Sequence, residues 1–192
     1  MWNIPNTLTL IRLGGIPLLL ILAFAGQPVA VLLLGLLLVL TDWLDGALAR
    51  ALHQQTPLGA KLDTIADVLL GLSLVLCVAR LDWSFLARHW VAVVMVLASY
   101  GLSAAVCLAK FGIWPSYHNY LAKVGMTLGS ATGLLLLTKA AGWLAWPLDW
   151  LFLLAAGLIT LANLESVAIT ARLRHPRSNV GSIFSLLRRQ LH

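Results

Sequence analysis

Long apolar runs alternate with short polar breaks along the chain. A membrane-crossing helix needs about 20 mostly apolar residues, and six stretches meet that length: 8–25, 28–52, 61–81, 85–111, 119–143 and 146–173. The breaks carry turn-forming residues: "AGQP" at 25–28, "QQTPLG" at 54–59, "LDWS" at 81–84, "GIWPS" at 112–116 and "AWP" at 145–147. Trp83, Trp90, Trp114, Trp143, Trp146 and Trp150 lie at or near these breaks. Tryptophans gather at membrane–water interfaces; ordinary packing is the alternative for each. The pattern predicts an all-α integral membrane protein with six transmembrane helices. Residues 1–173 would form one membrane domain, and 174–192 a basic tail. The tail's "NVGSIFSLLRRQLH" reads equally as an amphipathic segment along the headgroups or as a frayed terminus. Gly125, Gly129 and Gly133 recur every four residues in the fifth stretch. Small residues at this spacing let helix backbones approach closely, and internal packing is preferred here to a dimer seam.

Composition supports this reading. The chain of 192 residues is 60% hydrophobic and 10% charged, with a mean hydropathy of +0.92. Soluble domains average about 45–50% apolar and about 25% charged. Cys77 and Cys107 sit inside apolar runs and read as small hydrophobes, not as a disulfide or a metal pair. The net charge of +6 is distributed over loops and tail, which suits anionic lipid headgroups and not a nucleic-acid surface. The N-terminal "MWNIPNTLTLIRL" lacks the basic start of a signal peptide and is expected to be retained. Arg50, Lys61, Lys110 and Lys123 flank the second-to-third and fourth-to-fifth connections, and Arg172, Arg174, Arg177, Arg188 and Arg189 follow the sixth span. The opposite side has only Arg80, Arg88 and Lys139. Positive residues favour the cytoplasmic side, so both termini are expected there.

Against this background the acidic residues are unevenly placed. The chain has seven, and four of them, Asp42, Asp45, Asp63 and Asp67, fall in one window between two apolar runs. A charge near the hydrocarbon core costs about 2.5–3.5 kcal/mol, and solubility does not require these. Asp42, Asp45, Gly46 and Ala49 stand at i, i+3, i+4 and i+7, with Arg50 one step further. They share one helix stripe. Gly59, Asp63 and Asp67, at i, i+4 and i+8, form a stripe on the next helix. A short connection makes the two helices antiparallel neighbours, so the stripes are expected to face each other. Converging carboxylates repel unless cations sit between them, and Arg50 supplies one charge only. All-oxygen ligands suit the hard ions Mg²⁺ or Mn²⁺. Small residues on both stripes leave room for a ligand, and an adjacent arginine suits a pyrophosphate. Three readings remain on geometry alone: a phosphate-chemistry site, a polar stripe that only binds a cation, and a proton or ion pathway.

The same residues match a family motif in full. The chain resembles the CDP-alcohol phosphotransferases, whose pattern is D-x2-D-G-x2-A-R-x8-G-x3-D-x3-D. Here it reads Asp42, Asp45, Gly46, Ala49, Arg50, Gly59, Asp63 and Asp67. The six predicted spans also agree with the family's fold, so the resemblance covers most of the chain. It implies an enzyme that moves a phosphatidyl or similar group from a CDP-linked lipid to an alcohol and releases CMP. Asp42, Asp45, Asp63 and Asp67 would hold two metal ions, Mg²⁺ or Mn²⁺, and Asp67 would also act as general base on the acceptor hydroxyl. Gly46, Ala49 and Gly59 would make space for the cytidine diphosphate, and Arg50 would steady its phosphates. Asn6, Thr9 and Arg12 match the family's N-terminal Asn-x2-Thr-x2-Arg element near the nucleotide; helix capping by Asn6 or Thr7 is the alternative. The expected setting is the bacterial inner membrane, with the site facing the cytoplasm. The donor would be CDP-diacylglycerol, and the family's dimers leave a homodimer open.

The acceptor half is less legible. "NIPNTLTLIRL" looks most like phosphatidylglycerophosphate synthases and also like cardiolipin synthases. The former tend to have Lys after the last motif Asp, where this chain has Val68, and an Arg-Glu pair in the fourth helix, where it reads "ASYGLSAAV". A phosphorylated acceptor needs cationic partners. The candidates are Lys110, His118 and Lys123; Lys123 matches a lysine of the glycerol phosphate enzymes. For the lysines, snorkelling to the interface is the alternative, and His118 reads more as a loop or helix-start residue. Glu165, an acidic residue well inside the sixth span, is a further acceptor candidate because intramembrane carboxylates mark function. The expected acceptor is glycerol 3-phosphate, with phosphatidylglycerol or another polar alcohol as runner-up. A cation transporter or a catalytically silent scaffold is the alternative of another class.

Overall fold

A computed structural model of the chain describes residues 4–52, 56–112 and 120–173. Among them are seven helices and no strand: α1 (Ile4–Phe24), α2 (Pro28–Ala51), α3 (Pro57–Leu81), α4 (Trp83–Arg88), α5 (Trp90–Phe111), α6 (Tyr120–Ala140) and α7 (Asp149–Arg172). All but α4 are long and apolar enough to cross a membrane. The protein is an integral membrane protein of six spanning helices. The tail at 174–192 and His118 lie outside the described residues.

Local chemistry sets the helix ends. After α1, Gly26 adopts φ +68°, and Gln27 N–H reaches back to the Leu22 carbonyl at 3.1 Å. This is a left-handed stop of the kind glycine favours, and Pro28 then starts α2 where a missing N–H costs nothing. At α3, Thr56 is the N-cap and Pro57 follows; the Thr56 hydroxyl accepts the Gly59 N–H at 2.9 Å. One predicted boundary needs correction. The fourth span begins at Trp90, and the residues before it form the separate short α4. Asp82 starts α4, its Oδ1 accepting from Ser84 Oγ at 2.7 Å and from Phe85 N–H at 3.1 Å, and the break before α5 falls at His89, with φ −110° and ψ 19°. The apolar run conceals this cap because Trp83, Phe85 and Leu86 continue the hydrophobic pattern through it.

The chain divides into two compact units, Met1–Ala87 with Gly133–Pro147, and Arg88–Thr132 with Leu148–His192. In the first, α1 packs along both α2 and α3, which touch each other only slightly. Gly15 permits the α1–α2 approach, since a Cβ there would meet Leu38 Cδ2 at 2.6 Å. The polarity is the reverse of a soluble protein's. Asn6, Thr9, Arg12 and Asp45 are buried, whereas Leu10, Ile11, Leu33, Leu37 and Leu40 are exposed. That distribution suits a hydrocarbon surround, where polar groups need partners inside the protein. Trp83, Trp143 and Trp146, at the helix ends, are exposed.

In the second unit α5 and α7 run parallel. At one end His89 Nε2 lies 3.3 Å from Asp149 Oδ1; at the other, Lys110 Nζ donates to the Thr170 and Ala171 carbonyls at 2.9 and 2.8 Å. Gly125 and Gly129 of α6 sit against Ile159 of α7, where added Cβ atoms would come within 3.2 and 3.1 Å. These two glycines of the predicted stripe therefore serve internal packing.

Candidate functional site

The four aspartates come together in the first unit. Asp42 and Asp45 project from the C-terminal part of α2, and Asp63 and Asp67 from the first turns of α3. The helices do not simply present their stripes to each other. Arg12 of α1 stands among the carboxylates, with no exposed surface. Its Nη1 lies 2.6 Å from Asp42 Oδ1, 2.8 Å from Asp67 Oδ1 and 3.3 Å from Asp63 Oδ1. Its Nη2 pairs with Asp45 Oδ2, which also accepts the Thr9 hydroxyl at 3.2 Å. Arg12 Nε is buried with no hydrogen-bond partner among the described residues.

The carboxylates differ in access. Asp45 is nearly closed off, with its side chain 4% exposed, whereas those of Asp42, Asp63 and Asp67 are 33, 36 and 26% exposed. Asp42, Asp63 and Asp67 each offer an oxygen, and these lie within 4.8 Å of one another. That spacing and the all-oxygen donor set fit a hard divalent cation. One guanidinium cannot balance four carboxylates, so electrostatics also favours added positive charge. Asp45 has a different position, held between Arg12 and Thr9 on the inner side of the cluster.

The nucleotide candidates occupy the same unit. Gly46 and Ala49 lie half-buried on α2 just beyond the aspartates; the Arg50 side chain lies outside the described residues. Gly59 is tightly placed. A Cβ there would stand 2.5 Å from Asn6 Oδ1 and 2.9 Å from Thr56 Oγ1. Its lack of a side chain lets the buried Asn6 carboxamide of α1 reach the first turn of α3. Gly59→Ala should displace that carboxamide or the Thr56 cap, at about 1–2 kcal/mol. A melting curve in detergent checks this, and an unchanged midpoint would mean that the neighbourhood is looser than the contacts imply.

The acceptor candidates belong to the second unit. Lys110 is committed to the last carbonyls of α7 and lies 5.5 Å from the Phe111 ring centroid. Lys123 is exposed in the first turn of α6, and Glu165 is half-buried on α7. Sequence reasoning missed the central place of Arg12, which it grouped with Asn6 and Thr9 beside the nucleotide. A signal was available: Thr9 and Arg12 lie on one helix face, and Arg12 is the sole basic residue of α1.

Buried polar residues at one end of the spanning helices, with three convergent carboxylates, form a membrane-embedded polar site whose donor set fits a hard cation. The CDP-alcohol phosphatidyltransferase family matches this chain over residues 2–168, and the chain belongs to that family, whose members transfer a phosphatidyl group from a CDP-linked donor to an alcohol. It is therefore a phosphatidyltransferase of lipid synthesis, and the transporter reading is set aside. Its relatives include a CDP-diacylglycerol–glycerol-3-phosphate 3-phosphatidyltransferase of Salmonella choleraesuis, 32% identical over 85% of this chain and 92% of the relative. The Escherichia coli enzyme of the same name shows the same identity and coverage. A CMP-forming cardiolipin synthase of Streptomyces coelicolor is 36% identical over 74% of this chain and 69% of the relative.

Proposed function

We propose that the protein transfers the phosphatidyl group of CDP-diacylglycerol to glycerol 3-phosphate and releases CMP, in the bacterial inner membrane with its site and both termini facing the cytoplasm. The observation that carries the chemistry is the convergence of Asp42, Asp63 and Asp67 from two helices on one small volume. Two divalent ions, Mg²⁺ or Mn²⁺, would be held by these residues with Asp45; when bound they neutralise the pyrophosphate and make CMP a better leaving group. Asp67 accepts the proton of the acceptor hydroxyl. The acceptor oxygen then bonds to the phosphatidyl phosphorus as the phosphorus–oxygen bond to CMP breaks, and CMP leaves with the electron pair. Gly46 and Ala49 leave room for the nucleotide beside Asn6 and Thr9, Arg50 steadies its phosphates, and Gly59 admits the Asn6 carboxamide beside them. Lys123, exposed on α6, is the first candidate for binding the acceptor's phosphate, ahead of Lys110, which is held by the α7 carbonyls, and Glu165 is a further acceptor-binding candidate.

The acceptor assignment rests on the Salmonella choleraesuis and Escherichia coli relatives, which align over most of their length. The Streptomyces coelicolor relative supports the second reading, phosphatidylglycerol as acceptor. Purified protein given CDP-diacylglycerol, Mn²⁺ and a panel of acceptors distinguishes them. CMP should appear with glycerol 3-phosphate; CMP release with phosphatidylglycerol alone would move the assignment to a cardiolipin synthase. Release only with a non-phosphorylated polar alcohol would reject both.

A further inference from the structure

Arg12 and a divalent cation have claims on the same three carboxylates. Its Nη1 contacts Oδ1 of Asp42, Asp63 and Asp67, the three residues whose oxygens converge for a metal ion. An ion there would bring positive charge onto a guanidinium already seated among its ligands. Like charges at contact distance repel strongly where water is scarce, so the two compete for these carboxylates. The rest of the side chain shows where Arg12 can go. Its Nη2 is anchored on Asp45 and its Nε is buried with no partner among the described residues, so the group has a fixed pivot and an unused donor.

Resting on the metal reading above, we propose that Arg12 is a resident counter-ion that a divalent cation displaces, and that the displaced guanidinium then pairs with the donor's pyrophosphate. A buried guanidinium stripped of carboxylates is costly without another anion. The pyrophosphate is that anion, and its planar, two-pronged recognition suits arginine. The exchange couples the two ligands: each binds better when the other is present, by the same factor. Without donor, Arg12 disfavours the ion and offsets part of the aspartates' charge. Arg12 is thus a positioning residue for the ion as well as a donor contact.

The test is Mn²⁺ binding, followed by the paramagnetic signal of free Mn²⁺, on the full chain in detergent with and without CDP. Wild type, Asp63→Asn and Arg12→Gln are compared. Without CDP, Arg12→Gln should bind Mn²⁺ at least about tenfold tighter than wild type, because a competitor has gone. CDP should tighten Mn²⁺ binding in wild type by a larger factor than in Arg12→Gln. A merely structural arginine predicts unchanged or weaker Mn²⁺ binding in Arg12→Gln, and that result would overturn the proposal. If wild type binds no Mn²⁺ under either condition, the metal reading itself fails. If wild type binds and Asp63→Asn does not, while Arg12→Gln shows no gain, only the exchange fails. Should Arg12→Gln not fold, phenylglyoxal labelling of wild type mapped by mass spectrometry gives a second measurement. Mn²⁺ should speed labelling of Arg12 several-fold relative to the exposed Arg80 and Arg88, and CDP should slow it again. An Arg12 rate indifferent to bound Mn²⁺ would overturn the exchange.

Discussion

Asp67→Asn is expected to lower kcat by about 10²–10⁴-fold, the usual range for a lost general base, while CDP-diacylglycerol binding changes by far less. The asparagine keeps the shape of the side chain but cannot take a proton from the acceptor hydroxyl. Asp67 is suited to that task by position. It sits one turn into α3 from Asp63, its Oδ1 lies 2.8 Å from Arg12 Nη1, and its side chain is 26% exposed, so an acceptor can reach it. Donor binding draws on residues that the substitution leaves in place, Asp42, Asp45, Asp63 and the small residues of the two stripes. A purely structural Asp67 predicts the reverse: a lower melting temperature with turnover per folded molecule preserved. Single-turnover kinetics on protein already loaded with donor separates the outcomes, because they read the chemical step apart from binding.

Removing divalent cations should have an effect of similar size. Dialysis against a chelator is expected to reduce turnover at least about 100-fold, and Mn²⁺ or Mg²⁺ should restore it, given how much of the charge development in phosphate transfer such ions carry. Among Asp42, Asp45, Asp63 and Asp67 the protein supplies one described cation, Arg12, and a pyrophosphate brings further negative charge to the same place. The site cannot hold the donor and the four carboxylates without added positive charge. Full turnover after exhaustive chelation, with metal content checked by elemental analysis, would contradict this.

Much of the fold could be read from the sequence because its determinants are local. Apolar runs of spanning length, with Gly26 and Pro28 or Thr56 and Pro57 at their ends, define five of the spans to within a few residues. The fourth begins later than its apolar run because Asp82 starts a short separate helix inside that run and the backbone breaks again at His89. The candidate site divides in the same way. Asp42, Asp45, Asp63 and Asp67 follow from spacing on two consecutive helices. The place of Arg12 does not, because it depends on α1 packing along both of those helices. The close approach of Asn6 to Gly59 is hidden for the same reason. The acceptor residues were least legible. Lys110 looks like a free cation in the sequence, yet its ammonium is engaged by the α7 carbonyls 60 and 61 residues away in the chain.

The central claim is that aspartates from α2 and α3 jointly hold the divalent ions. Counting the Mn²⁺ bound per purified chain in the presence of CDP, for wild type, Asp42→Asn and Asp63→Asn, tests it most directly. Wild type should bind about two ions, and each substitution, one on either helix, should weaken binding at least about tenfold. Equal stoichiometry and affinity in all three proteins would contradict the account.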